Sequence, residues 1–218
     1  MMVRRFKGII FDMDGVLLDS SPLHDHAYRE AFAGLPIRQF EYRSVAGMRT
    51  DEAVRAVLKE NGVAQTEEQI ASIASTKSSI AREQIDRKNP IAPHCVDVLN
   101  ALARVYPLAL ASSASEATIN VFLTRNGLRE KFAALLHGGD VHSAKPAPDI
   151  YQLACRELRL QPSECLVIED AISGVQAAKA AGTAVWAITT TSSASELENA
   201  GADKIISDLQ DLLALTAD

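Results

Sequence analysis

The sequence predicts an α/β fold in which a Rossmann-like, doubly wound parallel sheet carries an inserted, all-helical domain. From about residue 94 onward, short apolar runs of strand length alternate with stretches of helical periodicity. This alternation is typical of βαβ units that cover both faces of a parallel sheet with helices. The stretch 21–88 differs, because it contains three helical patterns and no convincing strand. We therefore expect a core domain formed by 1–20 and 89–218 and a helical cap domain formed by 21–88.

The predicted core elements follow one another in a regular order. The first strand is the apolar run Ile9-Ile10-Phe11. Later apolar runs predict strands at 108–111, 133–136, 165–168, 184–188 and 204–207. Apolar residues at helical spacing predict helices that contain 95–102, 119–123, 150–158 and 171–181, with a last helix after 207. Gly127 and Gly182 stand where two of these helices should end.

Three helices are expected within the stretch 21–88. The first starts near Pro22, and the second follows Thr50 and stops at Gly62. The third begins with a capping-box pattern from Thr66 to Gln69, in which each side chain can bond the backbone N–H of the other residue.

Composition and charge exclude several function classes. The chain has 218 residues, a formal net charge of −6 and a pI near 5.4, which argues against nucleic-acid binding through a broad basic surface. Cys95, Cys155 and Cys165 form no C-x-x-C pair, so neither a zinc ribbon nor a disulfide framework is expected. No apolar run approaches transmembrane length. We expect a cytoplasmic protein, monomeric or weakly dimeric, with no nucleic-acid or membrane partner.

Two carboxylates, Asp12 and Asp14, come directly after the first predicted strand, and Gly15 follows them. Burying an ionised carboxylate without a partner is strongly unfavourable, so such a pair indicates a bound cation, a bound positive group or a chemical role. The alternative is an ordinary Asp-Gly turn at a strand end. The pair alone does not separate these interpretations.

Polar residues also follow two other predicted strands. Ser112 and Ser113 come after the run 108–111, and Glu169 and Asp170 come after 165–168, while Lys145 lies in a proline-rich loop. Ligands of open parallel sheets bind at the carboxyl ends of the strands, so these residues are expected at one site together with the aspartate pair. The set favours the site interpretation over the turn.

The residue types at this edge suit phosphoryl transfer. Mg²⁺ prefers a few carboxylates together with substrate phosphate and water, and Asp12, Asp14 and Asp170 could supply its protein oxygens. Ser112 and the backbone N–H groups after it could donate to phosphate oxygens, and Lys145 would neutralise developing charge. A carboxylate nucleophile that forms an aspartyl phosphate is an established covalent strategy.

Four segments that carry these residues resemble, in the same order, the four motifs of the haloacid dehalogenase-like hydrolase superfamily. They are Asp12-Met13-Asp14-Gly15-Val16, Ser112, Lys145-Pro146 and Glu169-Asp170. The predicted helical insert resembles the C1-type cap of that superfamily. The resemblance covers residues 8 to about 208. It implies the α/β fold with a helical insert and the phosphoryl-transfer chemistry described above.

The resemblance implies a role for each matching residue. Asp12 would be the nucleophile and Asp14 the general acid/base, while Ser112 and Lys145 would hold the phosphate, with Ser113 beside them as a substrate-binding residue. Relatives that cleave carbon–halogen bonds lack an acid equivalent to Asp14, and phosphonate-cleaving relatives typically lack one too. The presence of Asp14 therefore favours cleavage of a P–O bond.

The resemblance also implies a magnesium site. Asp12, Asp14 through its backbone carbonyl, and Asp170 would be the protein ligands. Glu169 would be either a further ligand or a residue that orients one.

Within the superfamily, the chain looks most like the β-phosphoglucomutase and sugar-phosphatase branch, and three further residues are candidates for substrate binding. His24 falls where these enzymes often carry a histidine near the acid/base, although it could be a partly exposed histidine at a helix start. Arg49 could bind a second phosphate or sugar hydroxyls, or could be a solvated residue near a helix N-cap. Lys77 shares the apolar stripe of its helix, so it either snorkels or points into the cleft.

The leading functional hypothesis is a Mg²⁺-dependent phosphatase that hydrolyses a small phosphorylated metabolite, most plausibly a sugar phosphate, through an aspartyl phosphate. The enzyme alternative is a β-phosphoglucomutase-type isomerase, which returns the phosphoryl group to a sugar hydroxyl and uses the same motifs. A non-catalytic module that binds a phosphorylated ligand or a partner is the third hypothesis.

Overall fold

A computed structural model describes residues 6–216 of the chain, and within that range six strands form one parallel sheet. The strands are β1 (Gly8–Phe11), β2 (Leu108–Ala111), β3 (Ala134–Leu136), β4 (Cys165–Glu169), β5 (Ala184–Ile188) and β6 (Lys204–Ile206). Their order in the sheet is β3-β2-β1-β4-β5-β6. The predicted core residues 1–5 and 217–218 lie outside the described residues.

Eight α-helices occur in the described part of the chain. They are α1 (Ser21–Ala31), α2 (Thr50–Glu60), α3 (Glu67–Lys88), α4 (Cys95–Leu102), α5 (Glu116–Asn126), α6 (Asp149–Glu157), α7 (Ile172–Ala181) and α8 (Ala194–Asn199). Short 3₁₀ helices lie at Tyr42–Ser44, Arg129–Lys131, Pro162–Glu164 and Leu209–Thr216. Across 6–216, no helix combines the length and the apolar character needed to cross a membrane.

Alternate residues of the central strands pack into two separate hydrophobic layers, one on each face of the sheet. Ile9 and Phe11 of β1 point into the layer that contains residues of α4 and α5, whereas Ile10 points into the layer that contains residues of α6 and α7. Successive side chains of a strand point to opposite faces, so a strand buried on both faces needs an unbroken apolar run. The predicted doubly wound α/β fold is confirmed.

Two elements near the C-terminus differ from the sequence-based expectation. The last segment, Leu209–Thr216, forms 3₁₀ turns rather than the expected α-helix. Helix α8 begins at Ala194, within a Thr/Ser-rich stretch that composition alone marks as a loop. The missed signal is local, because Ser193 and Glu196 form a capping box that starts the helix.

The register of the sheet explains why acidic residues meet at its edge. Phe11 pairs with Ile168 of β4 on one side and with Leu110 of β2 on the other, so Asp12 follows beside Glu169. The connection from β1 leads to β2 on one side and the connection from β3 crosses to β4 on the other, so the strand order reverses between β1 and β4. The crevice outside the carboxyl ends at such a point is where open α/β sheets bind ligands.

Helices α1, α2 and α3 fill the chain between β1 and α4 and enclose a third hydrophobic cluster. Buried residues of all three helices form it, among them Tyr28, Val54 and Ile70. We call residues 21–88 the helical insert. Its division from the core as a separate cap domain stays a prediction.

Two core hydroxyls tie the helical insert to the edge of the sheet. Ser113 Oγ donates to the Gly47 carbonyl at 2.6 Å, and Ser173 Oγ donates to the Ala46 carbonyl at 2.8 Å. Gly47 has a φ of +77°, and a Cβ at this position would collide with the Ser173 hydroxyl. The loop between α1 and α2 therefore lies directly over the carboxyl ends of the strands.

The capping box predicted at the start of α3 is present, since Thr66 Oγ1 accepts from the Gln69 N–H and Gln69 Oε1 accepts from the Thr66 N–H. Replacing Thr66 with Ala leaves a helix N–H without its acceptor, so we expect Thr66→Ala to lower the free energy of unfolding by about 1 kcal/mol. Urea unfolding followed by circular dichroism measures this change.

The matched control is Thr76→Ala, the same replacement at an exposed position inside α3. Alanine has the higher helix propensity, so this variant should be neutral or slightly more stable. Equal losses of stability in both variants would show that the cap contributes nothing.

Candidate active site

Three charged side chains meet at the carboxyl edge between β1 and β4. Lys145 Nζ lies 2.6 Å from Asp12 Oδ1 and 2.7 Å from Glu169 Oε1. A longer bond of 3.4 Å joins Lys145 Nζ to the Ala111 carbonyl at the end of β2. All three charged side chains are buried, and the one ammonium group compensates the charge of the two carboxylates only in part.

Glu169 uses its oxygens to hold protein donors. Besides Lys145, its Oε1 accepts from the Tyr151 hydroxyl at 2.6 Å, and its Oε2 accepts from the backbone N–H groups of the next two residues. A Cβ on Gly174 would collide with this carboxylate, so α7 needs a glycine at the point where it packs against Glu169. Glu169 thus orients Lys145. Tyr151 was not identified from the sequence, because it reads as one more apolar position on the buried face of α6.

Burial and neighbouring charges set the protonation of Asp12 and Lys145. Burial raises the pKa of Asp12 to about 7, an effect that Lys145 opposes and that Glu169 and Asp14 reinforce. For Lys145, burial works against the charge, but Asp12 and Glu169 outweigh it and raise the pKa above its ordinary value. Lys145 therefore stays a cation and favours the ionised, nucleophilic form of Asp12.

Asp14 turns away from Lys145 and joins a different chain of contacts. Its Oδ1 accepts from Ser20 Oγ at 2.7 Å and lies 2.8 Å from His24 Nε2. His24 Nδ1 lies 3.0 Å from Lys77 Nζ, which also sits 4.4 Å from the centre of the Tyr28 ring. His24 and Lys77, both expected from the sequence as substrate-binding residues, are thus brought together behind Asp14.

The partners fix the tautomer of His24. Lys77 can only donate, so Nδ1 of His24 accepts, and Nε2 carries the hydrogen that is donated to Asp14. Burial and the Lys77 charge lower the pKa of His24 more than Asp14 raises it, which agrees with a neutral ring. Burial raises the pKa of Asp14, but the hydrogen bonds from His24 and Ser20 and the charge of Lys77 outweigh it and hold the pKa below its ordinary value. Asp14 is therefore a carboxylate with donors already in place.

Asp170 is the third buried carboxylate of the edge, after Asp12 and Glu169. Burial raises its pKa well above the usual range, and the charges of Glu169 and Asp12 add to this effect. Its carboxylate lies against Gly15, where a Cβ would collide with it, and Thr190 Oγ1 is 3.3 Å from its Oδ2. Gly15 has a φ of +81°, so the tight turn after Asp14 requires glycine both for its conformation and for space.

Two buried aspartates are the candidates for holding the expected magnesium ion. Within residues 6–216, no group of three or more His, Cys, Asp and Glu side chains is arranged to hold a metal. Glu169 accepts from protein donors with both oxygens and Asp14 is bonded to Ser20 and His24, whereas Asp12 is bonded to Lys145 through Oδ1 alone and Asp170 contacts Thr190. Mg²⁺ is usually held by one or two carboxylates with substrate phosphate and water, and the edge buries three carboxylates beside one lysine, Lys145. The donors and the excess negative charge fit such an ion.

The two serines after β2 have different surroundings. Ser112 is buried, and its Oγ accepts from the Ala114 N–H at 3.1 Å, which leaves its own hydrogen free for another acceptor. Ser113 donates to Gly47 in the helical insert, so its hydroxyl joins the two parts of the chain. Both serines line the same cavity as Asp12.

Arg49 lies at the seam between the helical insert and the core, away from the Lys145 cluster. Its Nε donates to Asp51 at 2.8 Å and its Nη2 donates to Glu52 at 3.1 Å. Nη1 reaches the His142 carbonyl at 3.2 Å, which adds a contact from the insert to the core loop. The guanidinium therefore lies within a group of protein acceptors.

A cavity lies between the sheet edge and the helical insert. Its volume is about 50 Å³, which is room for roughly three to five water molecules. Its lining consists of Asp12, Asp14, His24, Tyr28, Tyr42, Val45, Gly47, Met48, Thr50, Lys77, Ser78, Ala81, Ser112, Ser113, Ala114, Ser115 and Thr118. Both aspartates of the first motif thus face one small space that is rich in hydroxyl groups.

Removing the central cation tests the charge balance of the edge. Lys145→Met keeps the length of the side chain but leaves Asp12 and Glu169 buried without a cation, so we expect the free energy of unfolding to fall by about 3 kcal/mol. Adding Glu169→Gln should restore part of this loss, because it removes one uncompensated charge. Urea unfolding in metal-free buffer measures both changes.

Lys179→Met is the control, since Lys179 pairs with Asp203 on the surface at 2.8 Å. An exposed ion pair contributes at most about 1 kcal/mol, so this variant should lose little stability. A Lys145→Met protein as stable as the control would contradict the proposed charge balance.

Comparison with known proteins identifies relatives over most of the chain. The profile of the haloacid dehalogenase-like hydrolase family matches residues 6–182. Fructose-1-phosphate phosphatase YqaB of Escherichia coli is 33% identical over 184 residues, which span 83% of this chain and 95% of the relative. Validoxylamine A 7'-phosphate phosphatase of Streptomyces hygroscopicus subsp. limoneus is 30% identical over 217 residues, covering 95% of this chain and 96% of the relative.

Solved structures share the same architecture. A hydrolase from Pseudomonas syringae superimposes with a TM-score of 0.86 at 27% identity, and CbbY from Rhodobacter sphaeroides in complex with phosphate does so with a TM-score of 0.80 at 30% identity. Each alignment covers 95% of this chain and 96% of the other. With a family match that spans most of its length, this chain belongs to the haloacid dehalogenase-like hydrolases.

Proposed function

We propose that the protein is a phosphatase that hydrolyses a small phosphorylated metabolite, a sugar phosphate, through an aspartyl-phosphate intermediate. The observation that carries this proposal is the separation of two neighbouring aspartates. Asp12 is bound to Lys145, whereas Asp14 is bound to His24, and both line one cavity. One carboxylate is thereby available to attack phosphorus while the other exchanges protons.

In the first step, a carboxylate oxygen of Asp12 forms a bond to phosphorus while the bond from phosphorus to the sugar oxygen breaks. Asp14 gives that departing oxygen its proton. In the second step, Asp14 takes a proton from water, and the water oxygen attacks phosphorus, which releases inorganic phosphate and restores Asp12. Lys145 and Ser112 hold the phosphoryl oxygens in both steps.

Asp14 has to change its protonation between the steps. Its pKa lies below the ordinary value in the free protein, so it is a carboxylate, the form required to activate water. An incoming phosphate brings negative charge into the cavity, and a nearby like charge raises the proton affinity of a carboxylate. Substrate binding therefore favours the protonated form that the first step requires.

Magnesium would be held by the carboxylates of Asp12 and Asp170 and by the backbone carbonyl of Asp14. When bound, such an ion neutralises phosphate charge and lowers the repulsion between substrate and the Asp12 carboxylate.

A sugar phosphate is supported by the relatives and by the cavity. YqaB is named for fructose 1-phosphate, and a relative from Thermotoga maritima, 29% identical, is named a phosphorylated carbohydrates phosphatase. Hydroxyl groups of Ser78, Ser115 and Thr118 line the cavity and can bond the hydroxyls of a sugar. We further propose that the helical insert acts as a cap domain that closes over this substrate. The expected cytoplasmic location and the monomeric or weakly dimeric state stay predictions.

Removing the nucleophile should abolish turnover. We expect Asp12→Asn to lower kcat/KM for fructose 1-phosphate by about 10⁴-fold or more, because an amide does not attack phosphorus and no aspartyl phosphate forms. Phosphate release in the presence of Mg²⁺ measures the rate.

Asp97→Asn is the matched control, since Asp97 is exposed on α4 and lies outside the cavity lining. It should retain full activity. An Asp12→Asn protein that keeps most of its activity would show that another residue is the nucleophile.

Replacing the acid/base should separate the two steps. An Asp14→Asn protein lacks both the proton for the leaving oxygen and the base for water, so turnover of a sugar phosphate should fall by about 10²- to 10⁴-fold. With p-nitrophenyl phosphate the leaving group needs no proton, so the first step should continue while the second is slow. Rapid mixing should then show a burst of nitrophenol equal to the enzyme concentration.

The wild-type protein should show no such burst under the same conditions if its second step is fast. Slow turnover of Asp14→Asn without a burst would contradict the assignment of Asp14 to the hydrolysis of the intermediate.

A further inference from the structure

Three consecutive threonines, residues 189–191, follow β5 at the carboxyl edge of the sheet. Glu169 of β4 pairs with Ala187 of β5, so these threonines leave the sheet beside Asp170, the residue after Glu169. The sequence marks this stretch only as a loop. Two of its three hydroxyls nevertheless lie against the turn and the carboxylate that are proposed to hold magnesium.

Thr190 links the turn after Asp14 to Asp170. Its Oγ1 donates to the Gly15 carbonyl at 2.5 Å and lies 3.3 Å from Asp170 Oδ2. A hydroxyl carries a single hydrogen, so the shorter contact is the main bond and the contact with Oδ2 is secondary. The Gly15 carbonyl belongs to the peptide that follows the Asp14 carbonyl. One side chain thus contacts both the backbone and the carboxylate that would face the ion.

Thr191 approaches the same carboxylate from a second position. A Cβ on Gly15 would meet the Thr191 hydroxyl at 2.9 Å and would collide with the Asp170 carboxylate, so the hydroxyl and the carboxylate lie close together. Burial and the charges of Glu169 and Asp12 raise the pKa of Asp170, whereas a hydrogen bond from Thr191 acts in the opposite direction. Thr191 therefore favours the ionised form, which is the form that binds a cation.

A residue of the helical insert helps to fix Thr191. Ser21, the first residue of α1, places its Oγ 2.9 Å from Thr191 Oγ1. The hydrogen of Thr191 is directed at Asp170, so Ser21 is the donor in this contact. The Thr191 hydroxyl is thereby held on two sides.

Asp170 depends on these hydroxyls because stronger partners do not reach it. Asp12 has an ion pair with Lys145, but within residues 6–216 no lysine, arginine or backbone N–H bonds the side chain of Asp170. Carboxylates that ligate a metal are normally held in place by hydrogen bonds from residues outside the ligand set. Thr190 and Thr191 occupy the positions of such residues.

We infer that Thr190 and Thr191 are positioning residues of the magnesium site, which hold the Asp170 carboxylate and the turn after Asp14 in the arrangement that binds the ion. This inference rests on the proposed function, in which Asp12, Asp170 and the Asp14 carbonyl hold magnesium, and deepens it. Neither threonine lines the cavity in which phosphorus would react. Loss of their hydroxyls should therefore weaken binding of the ion and leave the chemical steps unchanged once the ion is bound.

The test removes the two hydroxyls and measures binding of the metal alone. Thr190→Val/Thr191→Val replaces each hydroxyl with a methyl group of similar size, whereas Thr190→Ser/Thr191→Ser keeps both hydroxyls. The electron paramagnetic resonance signal of free Mn²⁺ gives the Kd for Mn²⁺, and competition gives the Kd for Mg²⁺. Both should rise by about tenfold or more in the valine variant, the usual effect of losing a hydrogen-bond partner of a metal ligand. The serine variant should stay near the wild-type values.

Thr189→Val is the matched control, since Thr189 is exposed in the same loop and its side chain forms no hydrogen bond with the residues that the structure describes. Its two Kd values should equal those of the wild-type protein. In steady-state assays with fructose 1-phosphate, the valine variant should need more Mg²⁺ for half-maximal activity, with kcat at saturating Mg²⁺ close to the wild-type value. A merely structural role would lower kcat at every Mg²⁺ concentration.

Unchanged Kd values in the valine variant overturn the inference, as does an equal weakening in Thr189→Val or a weakening that the serine variant shares. If circular dichroism shows that the double valine variant does not fold, Thr190→Val and Thr191→Val are compared singly, with a rise in Kd expected for each.

Asp170→Asn separates the failure of this inference from that of the proposed function. If Asp170→Asn weakens Mn²⁺ and Mg²⁺ binding and the valine variants do not, only the role of the threonines is wrong. If Asp170→Asn leaves both Kd values unchanged, the proposed magnesium site is wrong, and the role of the threonines is wrong with it.

Discussion

The buried contact of Lys145 with Asp12 and Glu169 is the interaction on which the rest of this site depends. Two carboxylates at the ends of neighbouring parallel strands repel each other in a medium that screens charge poorly, and one ammonium group between them makes their closeness tolerable. Other residues accommodate this contact. Tyr151 donates to the Glu169 carboxylate, and α7 has a glycine at Gly174 because a Cβ there would collide with that carboxylate.

Asp12 and Asp14 show that the neighbours of a carboxyl group determine its pKa more strongly than its position in the sequence does. They stand two positions apart in one short turn and are of the same residue type, yet burial among other acids raises the pKa of one while a histidine and a serine lower the pKa of the other. Pairs of titratable groups driven apart in this way are typical of acid–base chemistry. The separation follows from their contacts, since Asp12 is bonded to Lys145 and Asp14 is bonded to Ser20 and His24.

Local patterns predict the fold well here because the physics behind them is local. Apolar runs give the buried strands, and the capping box at Thr66 starts α3 where the sequence says that it should. Strand ends also bring most candidate residues to one edge. The sequence does not reveal which side chains pair with one another. The contacts of Lys77 with His24, of Tyr151 with Glu169 and of Arg49 with the acids of α2 depend on tertiary packing, which no spacing rule encodes.

The small size of the cavity has a consequence for the rate of turnover. A space of about 50 Å³ is smaller than a sugar phosphate, so binding of the proposed substrate would require the helical insert to move relative to the core. The bonds from Ser113 and Ser173 to the carbonyls of Gly47 and Ala46 are neutral contacts worth about 1 kcal/mol each. Arg49 adds a further contact from the helical insert to the His142 carbonyl of the core. Movement of the proposed cap domain against contacts of this kind, on a scale of microseconds to milliseconds, would set an upper limit on the rate of turnover.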